Sequence, residues 1–199
     1  MRKINGFLLI LFSILLGCSS EQTVNYADKL TGCMTPADII LINEACYVFE
    51  NQLKEKYPDK ELPEAYKAFL FDIGGLIPDF FEKKETLNII KRIKESQTFD
   101  KIWIKANEKI NSDQQVKEET LNFYCINPSG DFIKCLILNN KKKTIGNFLN
   151  YLSGSSTNFP VIIVEKLIQT LTEDDYNDEI LRMAIAFGIY YQFSVQFYR

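Results

Sequence analysis

The chain has 199 residues, of which 46% are hydrophobic, 25% charged and 13% aromatic, with only nine Gly and six Pro. That composition excludes a disordered tail or a low-complexity fibre and suits a domain with a sizeable core. The formal charge of −3 offers no basic footprint for nucleic acid. The complete absence of histidine removes Ser-His-Asp and Cys-His catalysis and every His-ligated metal site.

Residues 1–17 read MRKINGFLLILFSILLG. Arg2 and Lys3 form a positive start, and Phe7 to Leu16 form an apolar run of ten residues. A bilayer span needs about 20 apolar residues, so this pattern predicts an export signal, not a membrane helix. Leu15-Leu16-Gly17-Cys18 then resembles the lipobox of bacterial lipoprotein precursors. The resemblance covers this segment alone. It implies cleavage before Cys18, a diacylglyceryl group on the Cys18 sulfur, acylation of the new N-terminus and a place in the cell envelope. Ser19 and Ser20 follow Cys18 with no Asp, which by the same resemblance leans toward the outer membrane.

Cleavage would leave 21 basic against 26 acidic side chains, a net charge of −5. Anionic lipid repels such a surface, so the lipid on Cys18 would have to hold it at the membrane. Residues 18–30 read as the lipidated cysteine and a flexible tether, and residues 31–199 as one domain.

Thr35-Pro36-Ala37-Asp38 signals a helix start, followed by Ile39, Ile42, Cys46, Phe49 and Leu53 at helical spacing until Pro58. Pro63 opens a second helix with Tyr66, Phe69 and Leu70 on one face, ended by Gly74-Gly75. Pro78 restarts the chain, and Leu87, Ile90 and Ile93 carry it to about Glu95. Thr98 and Ser112 read as N-caps of two more helices, one bearing Ile102, Trp103, Ala106 and Ile110, the other Val116, Leu121 and Tyr124.

After the turn Asn127-Pro128-Ser129-Gly130, Phe132, Cys135, Leu136 and Asn139 suit a short helix. FYCI and DFIKCLIL are also compatible with a hairpin. Lys141-Lys142-Lys143 lead to Thr144, a cap for a helix ending near Leu152. Ser153 to Asn158 form a flexible-looking loop, and Pro160 starts a segment through Val164, Leu167, Ile168 and Leu171. Thr172 caps a final helix with Glu173, Asp174 and Asp175 in its first turn. Met183 to Tyr198 carry no charge; the stretch is too short and too polar to span a bilayer and predicts a central buried helix. The fold expected is a single all-α domain of about seven to nine helices.

Cys33, Cys46, Cys125 and Cys135 remain besides Cys18. An even number in an exported chain favours two disulfides. A helix from Thr35 would put Cys46 about 16 Å along its axis, too far for an easy bridge to Cys33. Cys125 and Cys135 flank a turn, so a local bridge there is easier, but the connectivity stays open. No pair has zinc-finger or C-x-x-C spacing.

Asp72 and Asp79 flank Gly74-Gly75 and would line a cleft if that break faced inward, the minimum for a carboxylate-dependent cell-wall hydrolase. Tyr190, Tyr191, Phe193, Phe197 and Tyr198 suggest core or, alternatively, the lining of an apolar ligand cavity. The triple lysine reads as a solvated loop or a contact for acidic groups. No phosphate loop, dinucleotide fingerprint or EF-hand occurs, so neither cofactor nor metal is expected. By subtraction, the expected function is binding of a protein by a membrane-anchored domain, an immunity or inhibitor protein being one case.

Overall fold

The computed structural model of the chain describes residues 25–106, 123–154 and 160–198. The architecture is all-α. Among the described residues, eight α-helices of seven residues or more are joined by single turns and one two-stranded ribbon. The helix expected to start at Ser112 and most of the loop at 153–158 lie outside the described residues.

The domain begins earlier than the sequence suggests. Helix α1 (Ala27–Leu30) buries Leu30, and Tyr26 just before it is also buried. Tyr26 and Leu30 therefore belong to the core, within the stretch expected to be tether. Gly32, at φ +92°, reverses the chain in a conformation that disfavours side chains.

Helix α2 (Pro36–Lys56) starts where the capping signal predicts. The Asp38 carboxylate accepts from the Thr35 N–H at 2.9 Å, and the Asp38 N–H donates back to the Thr35 hydroxyl at 3.3 Å. Ile42, Ala45, Cys46, Phe49 and Leu53 form its buried stripe. Helix α3 (Leu62–Asp72) buries Tyr66, Phe69 and Leu70 and runs into a 3-10 turn, Ile73–Gly75. A single turn, α4 (Pro78–Phe81), precedes α5 (Lys84–Lys94), which turns Ile89, Ile90 and Ile93 inward and its lysines outward.

Helix α6 (Thr98–Ile102) stops sooner than its periodicity predicts. The chain extends as β1 (Trp103–Lys105), antiparallel to β2 (Tyr124–Ile126), with Trp103 opposite Ile126 and Lys105 opposite Tyr124. Tyr124 therefore lies on a strand, not on the expected helix. The cause is tertiary: the buried Trp103 indole N–H donates to the Phe187 carbonyl at 3.2 Å, and the β-prone YCI segment supplies a paired edge. Thr98 is no cap either. Gln97 holds that position, and the Thr98 hydroxyl donates to Asp38 at 2.7 Å.

Helix α7 (Asp131–Asn139) settles the hairpin alternative: DFIKCLIL is helical, and YCI pairs with WIK instead. Its N-cap is Gly130, where any Cβ would collide with the Lys101 carbonyl oxygen. Helices α8 (Lys143–Gly154) and α9 (Pro160–Thr170) come next. Thr144 lies inside α8 and donates to Asp175 at 3.1 Å instead of capping. Thr172 does cap, in a box with Asp175, but the element it opens is a 3-10 turn, Glu173–Asn177. Asp178 then caps α10 (Glu179–Ile185), which continues through a π-turn (Ala186–Tyr190) into α11 (Tyr191–Phe197). Ile180 to Gln192 are buried without interruption. Among the described residues, no helix is long and apolar enough to cross a membrane.

At the centre, the Phe49 ring stacks on Tyr190 at 4.3 Å and meets Phe69 and Tyr66 edge-on at 5.0 and 5.4 Å. Gln52, Thr86 and Tyr190 close a ring of buried hydrogen bonds, at 2.5 to 2.6 Å, beside that stack.

One disulfide, Cys33–Cys135, ties the α1 turn to α7 with Cα atoms 5.8 Å apart. The expectation of two bridges is not met. Cys46 lies on the buried stripe of α2, and Cys125 on β2 points its thiol at the Ile104 carbonyl. The bridge closes a loop of 102 residues, so Cys135→Ser should cost about 3–5 kcal/mol in denaturant unfolding. Non-reducing peptide mapping should recover the 33–135 link, and Cys46 should resist alkylation until the protein unfolds.

Candidate functional site

Asp72 and Asp79 do not share a cleft. Asp72 ends α3 and accepts from the Tyr57 hydroxyl at 3.1 Å. It borders a hollow of about 640 Å³ between α3 and the 3-10 turn at 173–177. Asp79, at the start of α4, borders a separate hollow with Gln52, Glu55 and Lys83. The Gly74-Gly75 break directs the two acids to different surfaces.

The first hollow combines aromatic and charged side chains. The buried rings of Tyr57 and Tyr176 line it, and Phe71 stands beside them with 58% of its surface exposed. Two basic side chains, Lys60 and Lys67, and three acidic ones, Glu64, Asp72 and Glu173, border it. Lys67 bonds Glu173 at 2.5 Å, joining α3 to the 3-10 turn, and that bond lowers the Glu173 pKa. Aromatic surface ringed by both charge signs suits a polypeptide better than a small apolar molecule. Sequence reading missed Phe71. Its position opposite the Tyr66, Phe69 and Leu70 face was the available signal.

Ionisable groups inside the fold are held in place by partners. Glu50 is buried on α2, one turn beyond Cys46, and accepts from the Tyr26 hydroxyl and, at 3.1 Å, from Tyr66. Burial raises the Glu50 pKa, opposed by those two hydroxyls and by the Arg182 charge. Arg182 packs over the Tyr66 ring and donates to the Tyr176 carbonyl at 2.8 Å. Burial, reinforced by Glu50, also holds Cys46 as the thiol. A lone acid within the apolar stripe of α2 was the sequence signal for this cluster, and it was not read.

Asp38 behaves oppositely. Burial pushes its pKa upward, but hydrogen bonds from Lys101, Thr35 and Thr98 outweigh it and bring the value down to about 2. The Lys101 ammonium lies 2.6 Å away. In the triple-lysine run, Lys142 bonds Asp174 at 3.0 Å and Asp175 at 3.5 Å, so one of the three lysines is committed within the fold.

The C-terminal aromatics pack on one another. Tyr190 and Tyr191 are buried at 4.9 Å, and Phe193 meets Phe81 at 5.1 Å. Tyr198 stacks with the Lys94 ammonium at 4.7 Å, and that charge also faces Tyr124 and Phe99. Phe197 is partly exposed. Among the described residues, no group of three or more Cys, Asp or Glu side chains is arranged to hold a metal ion.

The two buried acids predict opposite pH dependences. Asp38, with its lowered pKa, contributes stability that is present above about pH 4 and lost as pH falls through about 2. Asp38→Asn should therefore cost about 1–2 kcal/mol at pH 6, and the gap to the native protein should close between pH 4 and 2. Glu50, with its raised pKa, contributes most when protonated. Any advantage of the native protein over Glu50→Gln should shrink as pH rises from 4 to 7. Urea unfolding from pH 2 to 7 checks both.

No family model, no curated protein and no solved structure matches this chain.

Proposed function

We propose that this chain is a lipid-anchored bacterial cell-envelope protein, leaning to the outer membrane, whose helical and non-enzymatic domain binds a protein partner. The anchor reading rests on the lipobox resemblance at Leu15 to Cys18. The binding reading rests on one observation, the Phe71 ring exposed beside the charged, Tyr-lined hollow between α3 and the 173–177 turn. Exposed aromatic rings set against desolvated pockets carry a large share of the energy in protein interfaces. An immunity or inhibitor protein, which blocks another protein by occupying its surface, is the specific case that fits a small acidic domain held at the membrane.

The test is a crosslinked pull-down of the tagged, lipidated protein from its own envelope. A stoichiometric protein should be recovered, and Phe71→Ala should reduce recovery at least tenfold, as loss of about 2 kcal/mol at an interface anchor implies. Recovery unchanged by Phe71→Ala would remove the hollow from the proposal. Cys18→Ala should move the protein from the membrane to the soluble fraction, and continued membrane association would overturn the anchor.

A further inference from the structure

The lipid anchor, if it forms on Cys18, must reach the domain through a short and well-placed piece of chain. The described chain begins at Asn25, and α2 holds it there. The Asn25 side-chain oxygen accepts from the Asn43 amide at 3.3 Å, and the Tyr26 N–H donates to the Asn43 side-chain oxygen at 3.0 Å. Tyr26 then enters the core and bonds Glu50. Asn43 follows Ile40 by three residues and precedes Tyr47 by four, so the three lie on one face of α2. Ile40 is 57% exposed and Tyr47 47% exposed. The tether thus leaves the domain between the two exposed apolar side chains of α2.

Length then limits what can cover them. Seven peptide units separate Cys18 from Asn25. Fully extended they reach about 25 Å, and as a random coil about 15 Å. The acyl chains on Cys18 would lie in the bilayer, so the outer face of α2 cannot stand far from the headgroups. Its charge is also suited to that position. Glu44, on the same side of the helix, is ion-paired with Arg92 at 2.5 Å, so this face does not present the repulsion of the acidic domain as a whole. Tyr combines an apolar body with a polar tip, the combination enriched at membrane surfaces.

The geometry points to the outer face of α2 around Ile40 and Tyr47 as the membrane-apposed surface of the protein, its occupant the headgroup layer of the bilayer that holds Cys18. This rests on the lipid-anchor reading. It also orients the domain. Tyr57, which lines the Phe71 hollow, lies fourteen residues along the chain from Asn43. At helical rise that is about 20 Å, which separates the hollow from the lipid contact.

The experiment uses the full lipidated chain in phosphatidylcholine vesicles, with and without dibrominated phosphatidylcholine as a short-range quencher. Tyr47→Trp and Ile40→Trp report on the α2 face, and Phe71→Trp on the hollow; the signal of the buried Trp103 is subtracted using the native protein. Indoles introduced at 47 and 40 should lose at least half their emission to brominated lipid, and one at 71 should lose almost none. Vesicle-bound protein whose 47 and 40 indoles are unquenched overturns the proposal. An indole there that is blue-shifted but unquenched assigns the face to a second copy or a protein partner, and likewise overturns it. Failure to float with vesicles at all is a distinct result, since it overturns the anchor and the orientation with it.

Discussion

Ten consecutive uncharged residues, Met183 to Gln192, are taken out of water, and the rest of the fold is arranged around that requirement. The helix that contains them is wrapped on most sides through Gln192. Phe49 of α2 stacks on Tyr190, Trp103 of β1 and Phe132 of α7 pack on Phe187, and Phe81 of α4 packs on Phe193. A helix apolar on every side is stable in water only at the centre of a bundle, and here the surrounding helices supply that cover.

Polar groups carried into this interior find partners there. The ring of Gln52, Thr86 and Tyr190, the Glu50 acceptor of two tyrosines and the Asp38 cluster each satisfy groups that would otherwise cost about 1–3 kcal/mol apiece. These side chains serve the fold, so the proposed binding is assigned to the rim, where Phe71 stands exposed beside the charged hollow. Strong pKa perturbation here marks structural commitment more than chemistry.

The N-terminal segment is fastened twice, by Tyr26 on Glu50 and by Cys33 on Cys135. A chain proposed to hang from a lipid gains from this, because any pull on residue 25 meets the core within one residue. Under the lipid-anchor proposal, the same fastening would orient the domain.

The α2 capping box, the buried C-terminal helix and the all-α class were legible in the sequence, because each depends on neighbours within a few turns: periodicity, a Thr-Pro-x-Asp start, a run without charge. The disulfide partner of Cys33 was not legible, since it lies 102 residues away and only the docking of α1 on α7 brings it near. Nor was the end of α6, where Trp103 exchanges helical periodicity for a hydrogen bond to Phe187 and a strand partner beyond residue 122. The candidate site divides the same way. Asp72 and Asp79 are close along the chain, yet the turn between them sends them to different hollows, and the hollow that holds Phe71 is completed by Tyr176 and Glu173 from the far end of the chain. Local pattern decides which segments become helices; which side chains meet across a surface is decided by long-range packing, whose energy is not encoded at any single position.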